Sequence, residues 1–188
     1  MVHIRPLALP EVKEIVPPRH GDRRGFFSET WSAPALAAEG LDVDFVQDNH
    51  SFSAEAGVLR GLHYQAPPFA QAKLIRVTRG AIFDVAVDIR RGSPTFGRWV
   101  GHIVSVAAWN QIFVPIGFAH GFVTIEPDTD VLYKVSAPYA PEHDRAIRFD
   151  DPAIGIDWPL EGRDPILSDK DRDAPLLAQA EPVFRYDR

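Results

Sequence analysis

Between residues 41 and 135 the chain is cut into short apolar runs, each bounded by glycine, proline or a polar turn. Lys73-Leu74-Ile75-Arg76-Val77-Thr78 ends at Arg79-Gly80, which reads as a hairpin turn. Ala81 to Ile89 alternates, with Phe83, Val85, Val87 and Ile89 on one face and Asp84, Ala86 and Asp88 on the other. Trp99 to Val106, Gln111 to Val114, His120 to Ile125 and Val131 to Val135 supply further runs. Strands this short, at this spacing, close into a sandwich, a jelly roll or a barrel. Pro 17 and Gly 13 supply the turns, and no strand-helix-strand rhythm competes.

The flanks are weaker. Residues 1–30 read as extended, with a polar turn at His20 to Gly25 and a strand over Phe26 to Trp31. Ser32 and Pro34 open a short helix over Ala35 to Glu39, closed by Gly40. Asp42 to Asn49 alternates as a strand before turning polar. Beyond residue 136 prolines recur, so residues 136–188 are expected as a tail packed on a barrel core of about 41–135, within one domain of 188 residues. Composition alone reads Asp164 to Asp171 as a solvated loop in that tail. The absence of cysteine excludes disulfides, thiolate metal sites and cysteine nucleophiles. A formal net charge of −6 argues against a nucleic-acid partner or an acidic membrane surface. No apolar run approaches a membrane span, and Met1 to Pro6 lacks the apolar core of a signal peptide, so a soluble, cytoplasmic protein is expected.

The chemistry gathers around Gly57-Val58-Leu59-Arg60-Gly61-Leu62-His63-Tyr64-Gln65. A buried strand has little structural use for a cation and a group that titrates near neutral pH. Arg60 and His63 would face opposite sides of a regular strand, and Gly61 between them can relieve this through a bulge. Lys73 shares a face with Ile75 and Val77, and Tyr133 with Val131 and Val135. A lumen holding His63, Lys73 and Tyr133 would contain a base, an electrophile and a weak acid, which suits proton transfer at a carbon beside a carbonyl. Taken singly, each also reads as a structural residue: a core histidine, a surface lysine, a core tyrosine. A metal reading fails on its ligands. His120 stands after the Pro115-Ile116-Gly117 turn as a distant histidine, but Gln65 occupies the place of a second histidine near His63, and no glutamate follows within a few residues. Acid–base work is therefore assigned to side chains, without metal or other cofactor.

The segments Gly25-Phe26-Phe27-Ser28-Glu29, Phe45 to Ser51, Gly57 to Gln65, Gln71 to Leu74, Phe83 to Arg90, Gly92 to Gly97, Pro115 to Phe122, Leu132-Tyr133-Lys134, Gly155 to Pro159 and Leu167 to Asp171 follow in one order along nearly the whole chain. In these the sequence resembles the dTDP-4-dehydrorhamnose 3,5-epimerases, the RmlC-like cupin family. The resemblance implies an all-β, cupin-type jelly-roll barrel with short flanking helices. It implies a homodimer acting without metal on a dTDP-4-keto-6-deoxy sugar. It implies that His63 removes protons at C3 and C5, that Tyr133 reprotonates from the opposite face, that Asp171 pairs with His63 and that Lys73 stabilises the enolate oxygen. Arg24, Arg60 and Lys170 are implied at the pyrophosphate, Glu29, Gln47, Asp48 and Asn49 around the nucleoside and sugar, Tyr139 on the thymine, and His120 in the sugar pocket. Asp84 is implied beside His63 or Lys73. Asp144 is the substrate-contacting carboxylate where relatives often carry glutamate, one methylene longer.

Overall fold

Alternating burial along the strands sorts them into two antiparallel sheets whose inner faces pack on each other. The structure is a computed structural model and describes residues 2–186. Its strands are β1 (His3–Pro6), β2 (Lys13–Val16), β3 (His20–Asp22), β4 (Gly25–Phe27), β5 (Gln47–Ser53), β6 (Leu59–Gln65) and β7 (Lys73–Arg79). They continue with β8 (Ala81–Asp88), β9 (Trp99–Ser105), β10 (Gln111–Val114), β11 (Phe118–Thr124), β12 (Thr129–Val135) and β13 (Asp144–Ala146). Two short helices flank them, α1 (Ala33–Ala38) and α2 (Asp169–Arg172). One sheet runs β1-β2-β10-β7-β12-β5, the other β13-β6-β11-β8-β9, and β3-β4 form a separate hairpin. The strands thus extend beyond residues 41–135 at both ends, since β1, β2 and β13 join the sheets.

Ile75, Val77, Ile112 and Val131 of the first sheet meet Ile82, Ala86, Val104 and Phe122 of the second in one buried core. Each of these apart from Ala86 contributes about 1.5–3 kcal/mol on leaving water. This jelly-roll arrangement is the fold implied for cupins. Gly80 is a correction to the hairpin expectation: β7 and β8 lie in different sheets, so Arg79-Gly80 is a corner between them. The corner needs glycine because φ is +80° and a Cβ would meet Thr129 Oγ1 at 2.2 Å.

Two further strands are shorter than expected. Of the Phe26 to Trp31 run only Phe26 and Phe27 are strand, within β4, which pairs with His20–Asp22. Residues 42–46 are irregular, and β5 starts at Gln47, where β12 begins to pair with it.

The most apolar face of β8 does not look into the barrel. Val85, Val87 and Ile89 pack outward, with Leu62 and Tyr64, against Ile147, Ile154, Leu177 and Phe184 of the tail. By strand alternation this turns Asp84, Ala86 and Asp88 inward, so the tail allows polar groups to line the lumen. The tail also runs beside the start of β6, where Leu59 N–H donates to Ile166 O (3.0 Å) and Ile166 N–H to Gly57 O (2.9 Å). That pairing carries α2 to the mouth of the barrel. Among the described residues no helix is long and apolar enough to cross a membrane.

Candidate active site

His63 reaches the lumen because β6 is bulged. His120 pairs with His63 and Phe122 with Arg60, so Gly121 alone opposes both Gly61 and Leu62. Gly61 has φ +125°, and a Cβ there would lie 2.5 Å from Gly121 Cα and 2.8 Å from His120 O. The extra residue brings Arg60 and His63 onto one face, and both line a cavity of about 390 Å³. His63 Nε2 donates to Asp171 Oδ1 at 2.5 Å. A proton held on Nε2 leaves Nδ1 with the lone pair. Asp171 stands on α2, buried, where Ser168 Oγ donates to its Oδ2 (2.8 Å) and accepts from its backbone N–H (3.2 Å). Burial pushes the Asp171 carboxyl up, but the hydrogen bond and charge of His63, with Ser168 and the Gly61 N–H, hold it below the usual carboxylate range.

Lys73 and Tyr133 rise from the facing sheet, on β7 and β12, and line the same cavity. The Lys73 ammonium is buried and, among the described residues, donates only to His63 O, at 3.4 Å. Burial lowers its pKa to about 8, against the opposing pull of Asp84 and then Asp144. Burial also raises the Tyr133 phenol, which the nearby Arg60 charge partly offsets, so the phenol keeps its proton at neutral pH. Arg60 guanidinium donates to Phe52 O (3.2 Å) and Ser53 Oγ (3.4 Å) at the cavity wall. His120 lines the cavity too, and its Nε2 donates to Asp84 Oδ2 at 2.8 Å. Burial lowers the His120 pKa, with Asp84 opposing. Asp84 therefore bonds His120 rather than His63 or Lys73.

A second lobe of about 300 Å³ shares His63, Lys73 and Tyr133 with the first and adds Gln47, Asn49, Tyr139, Asp144 and Lys170. Gln47 Nε2 donates to Asn49 Oδ1 (2.8 Å), and its Oε1 accepts from Tyr139 N–H (2.9 Å). Asp144 accepts from Tyr139 Oη (3.3 Å) and from Lys170 Nζ. The two lobes make an elongated cleft, with a histidine–carboxylate dyad, an amine and a phenol at the junction and cations toward the ends.

Three expected residues stand elsewhere. Asp48 pairs with Lys134 Nζ (3.3 Å) on the outer face of the sheet, because Gln47 and Asn49 point inward and their neighbour must point out. Arg24 is exposed on the β3-β4 hairpin and binds Asp22 (2.6 Å). Glu29 is exposed just beyond β4. Neither Arg24 nor Glu29 lines either lobe.

The sequence model of one family, described as dTDP-4-dehydrorhamnose 3,5-epimerase, matches residues 6–179. The chain belongs to the dTDP-4-dehydrorhamnose 3,5-epimerase family. A Sinorhizobium fredii dTDP-4-dehydrorhamnose 3,5-epimerase is 50% identical over 98% of this chain and 94% of its own. The crystal structure of the Legionella pneumophila 3,5-epimerase RmlC in complex with dTDP-4-keto-L-rhamnose superposes with a TM-score of 0.95 at 45% identity, covering 100% of both chains. ChmJ, a 3'-monoepimerase from Streptomyces bikiniensis solved with dTDP-quinovose, superposes at 0.86 with 36% identity, over 93% of this chain and 87% of its own.

Within the epimerase fold, three site features escaped the sequence reading. Ser168 holds Asp171, and its signal was a helix N-cap three residues before a carboxylate. Ser51 lines the cavity with a buried hydroxyl that has no partner among the described residues. Gln65 is occupied structurally: its amide donates to Phe69 O (2.7 Å) and Pro138 O (3.1 Å) and accepts from Ala140 N–H (2.8 Å), which fixes the wall of the second lobe.

Proposed function

We propose that the chain epimerises C3 and C5 of dTDP-4-keto-6-deoxyglucose to dTDP-4-keto-L-rhamnose, in dTDP-L-rhamnose biosynthesis. The observation that carries this reading is the His63–Asp171 dyad in one wall of the cavity, with Lys73 and Tyr133 in the facing wall. Protons at C3 and C5 are both α to the C4 ketone. His63 takes one through its free ring nitrogen, and Asp171 stabilises the imidazolium through the other. The electron pair moves onto the C4 oxygen, where the Lys73 ammonium meets the developing negative charge. Tyr133 returns a proton to the opposite face of the carbon, and the nearby Arg60 charge stabilises the phenolate it leaves. Proton exchange with solvent resets both groups before the second carbon is inverted.

The second lobe suits the nucleotide. Tyr139, 59% exposed beside Gln47 and Asn49, offers a face for the thymine, and Arg60 and Lys170 offer charge to the diphosphate. Asp144 holds Lys170 and Tyr139 in place in this reading. A homodimer fits the exposed β3-β4 hairpin, whose Phe27 is 71% exposed. Arg24 and Glu29 on and beside that hairpin would meet a substrate only from a second copy's side. A cytoplasmic location goes with a nucleotide-sugar substrate and the net charge of −6.

Incubation with dTDP-4-keto-6-deoxyglucose in D₂O tests the reading. Deuterium is expected at both C3 and C5 with inversion at each. Label at one carbon alone would make the chain a mono-epimerase, the activity named for ChmJ. No label would overturn the assignment.

A further inference from the structure

Asp171 is the buried residue of α2, and Asp169, Lys170 and Arg172 around it are exposed. Four residues make barely one helical turn, too short to hold its own shape. The tail is pinned to β6 as far as Ile166. Beyond that pin, Ser168 ties Asp171 twice: its Oγ accepts from the Asp171 backbone N–H (3.2 Å) and donates to Asp171 Oδ2 (2.8 Å). One hydroxyl thus bridges the main chain and the side chain of the same residue. Any turn of the carboxylate out of this rotamer breaks the Oδ2 bond and strips a buried oxygen of that donor, which is costly. The spacing of Ser168 and Asp171 is that of a capping box, in which the carboxylate turns back onto the first residue's backbone N–H. Here the carboxylate takes the hydroxyl hydrogen instead, and its other oxygen faces His63 Nε2 at 2.5 Å. Ser168, Asp171 and His63 line one cavity.

We propose that Ser168 is a positioning residue of the proton-transfer site: its hydroxyl fixes the Asp171 carboxylate in the rotamer that keeps the His63 proton on Nε2 and the lone pair on Nδ1. Capping a helix asks only for an acceptor at this position, or for a glycine. The clamp on Asp171 asks for an acceptor and a donor on one atom, and that is a hydroxyl. A carboxylate free to turn gives Nε2–H an intermittent partner. The neutral ring then moves toward a mixture of its two tautomers, and a ring with its proton on Nδ1 has no lone pair there to take a proton from carbon. Ser168 acts through Asp171 and His63 and needs no contact with the substrate.

The consequence for rate rests on the epimerase reading, so the first readout uses no substrate. In protein labelled with nitrogen-15 histidine, the His63 ring signals are those missing from His63→Asn. At a pH where the ring is neutral, its two nitrogens in wild type should resonate far apart, one protonated and one bare. In Ser168→Ala they should move toward each other, and in Ser168→Thr they should stay apart. Ser168→Gly, which caps a helix nearly as well as serine, should behave as Ser168→Ala does. Unmoved signals in folded Ser168→Ala overturn the proposal. So do wild-type signals in Ser168→Gly, which would make Ser168 a helix cap and nothing more. With dTDP-4-keto-6-deoxyglucose, kcat of Ser168→Ala should fall about tenfold, as for one hydrogen bond to a charged group, with KM within about twofold and exchange at C3 and C5 slowed alike. Moved signals with an unchanged rate support the clamp and overturn instead the base role given to His63. Should Ser168→Ala not fold, Ser168→Gly gives the deciding spectrum in its place.

Discussion

Asp171→Asn removes a charge while nearly preserving shape. Asp171 is buried, its Oδ1 faces His63 Nε2 at 2.5 Å, and Ser168 fixes its other oxygen. The amide oxygen of asparagine can still accept from Nε2–H, so the ring keeps its place. What is lost is the negative charge opposite the imidazolium that forms when a proton leaves carbon. A charge-assisted hydrogen bond contributes about 1.5–3 kcal/mol, which translates to roughly 10- to 150-fold in kcat. Because the charge matters only once His63 is protonated, KM should change little. Proton NMR in D₂O can follow exchange at C3 and C5 separately. Both rates should fall by the same factor, since both protons go to one base. A loss confined to one carbon would refute the shared base, and full activity would refute the dyad.

Other consequences are simpler to check. Tyr133→Phe should leave exchange at carbon measurable while product formation falls by roughly 10²-fold or more, because abstraction survives and opposite-face reprotonation does not; coupled deuterium and product assays separate the two. Gly61→Ala should lower stability by at least ~2 kcal/mol in urea unfolding, since its Cβ would lie 2.5 Å from Gly121 Cα at a φ of +125°. Asp88 is buried, which pushes its carboxyl up, but hydrogen bonds from Arg90, Ser93 and Thr95 hold it below the usual range. Its stabilisation is therefore complete above the unfolded carboxylate range and disappears as pH falls through the lower folded value; Asp88→Asn should melt below wild type at about pH 7, and the gap should close toward about pH 2.

The barrel was legible where one physical rule acted alone. Period-two alternation placed Lys73 with Ile75 and Tyr133 with Val131, and one glycine at the bulge was enough to expect Arg60 and His63 together. The same rule, applied to β5, would have put Asp48 on the outer face with Lys134, opposite to Gln47 and Asn49; family likeness alone kept it among the substrate contacts. Arg79-Gly80 looked like a hairpin because a tight turn and a sheet-to-sheet corner make the same local demand for positive φ. Asp171 lay beyond spacing arguments. It stands 108 residues from His63 in a polar run that composition reads as solvent-facing, and only the tail's pairing with β6 brings it in. Its pairing with His63 was implied by the resemblance alone. The partnership of Asp84 with His120 was hidden for a similar reason: residues on neighbouring strands meet diagonally, and sequence shows neither register nor bulge.

The central claim is that one histidine serves both carbons. His63→Asn, incubated with dTDP-4-keto-6-deoxyglucose in D₂O beside the wild-type protein, tests it most directly. Wild type should place deuterium at C3 and C5, and His63→Asn should lose exchange at both while still binding dTDP. Exchange that survives at either carbon in His63→Asn would contradict the account.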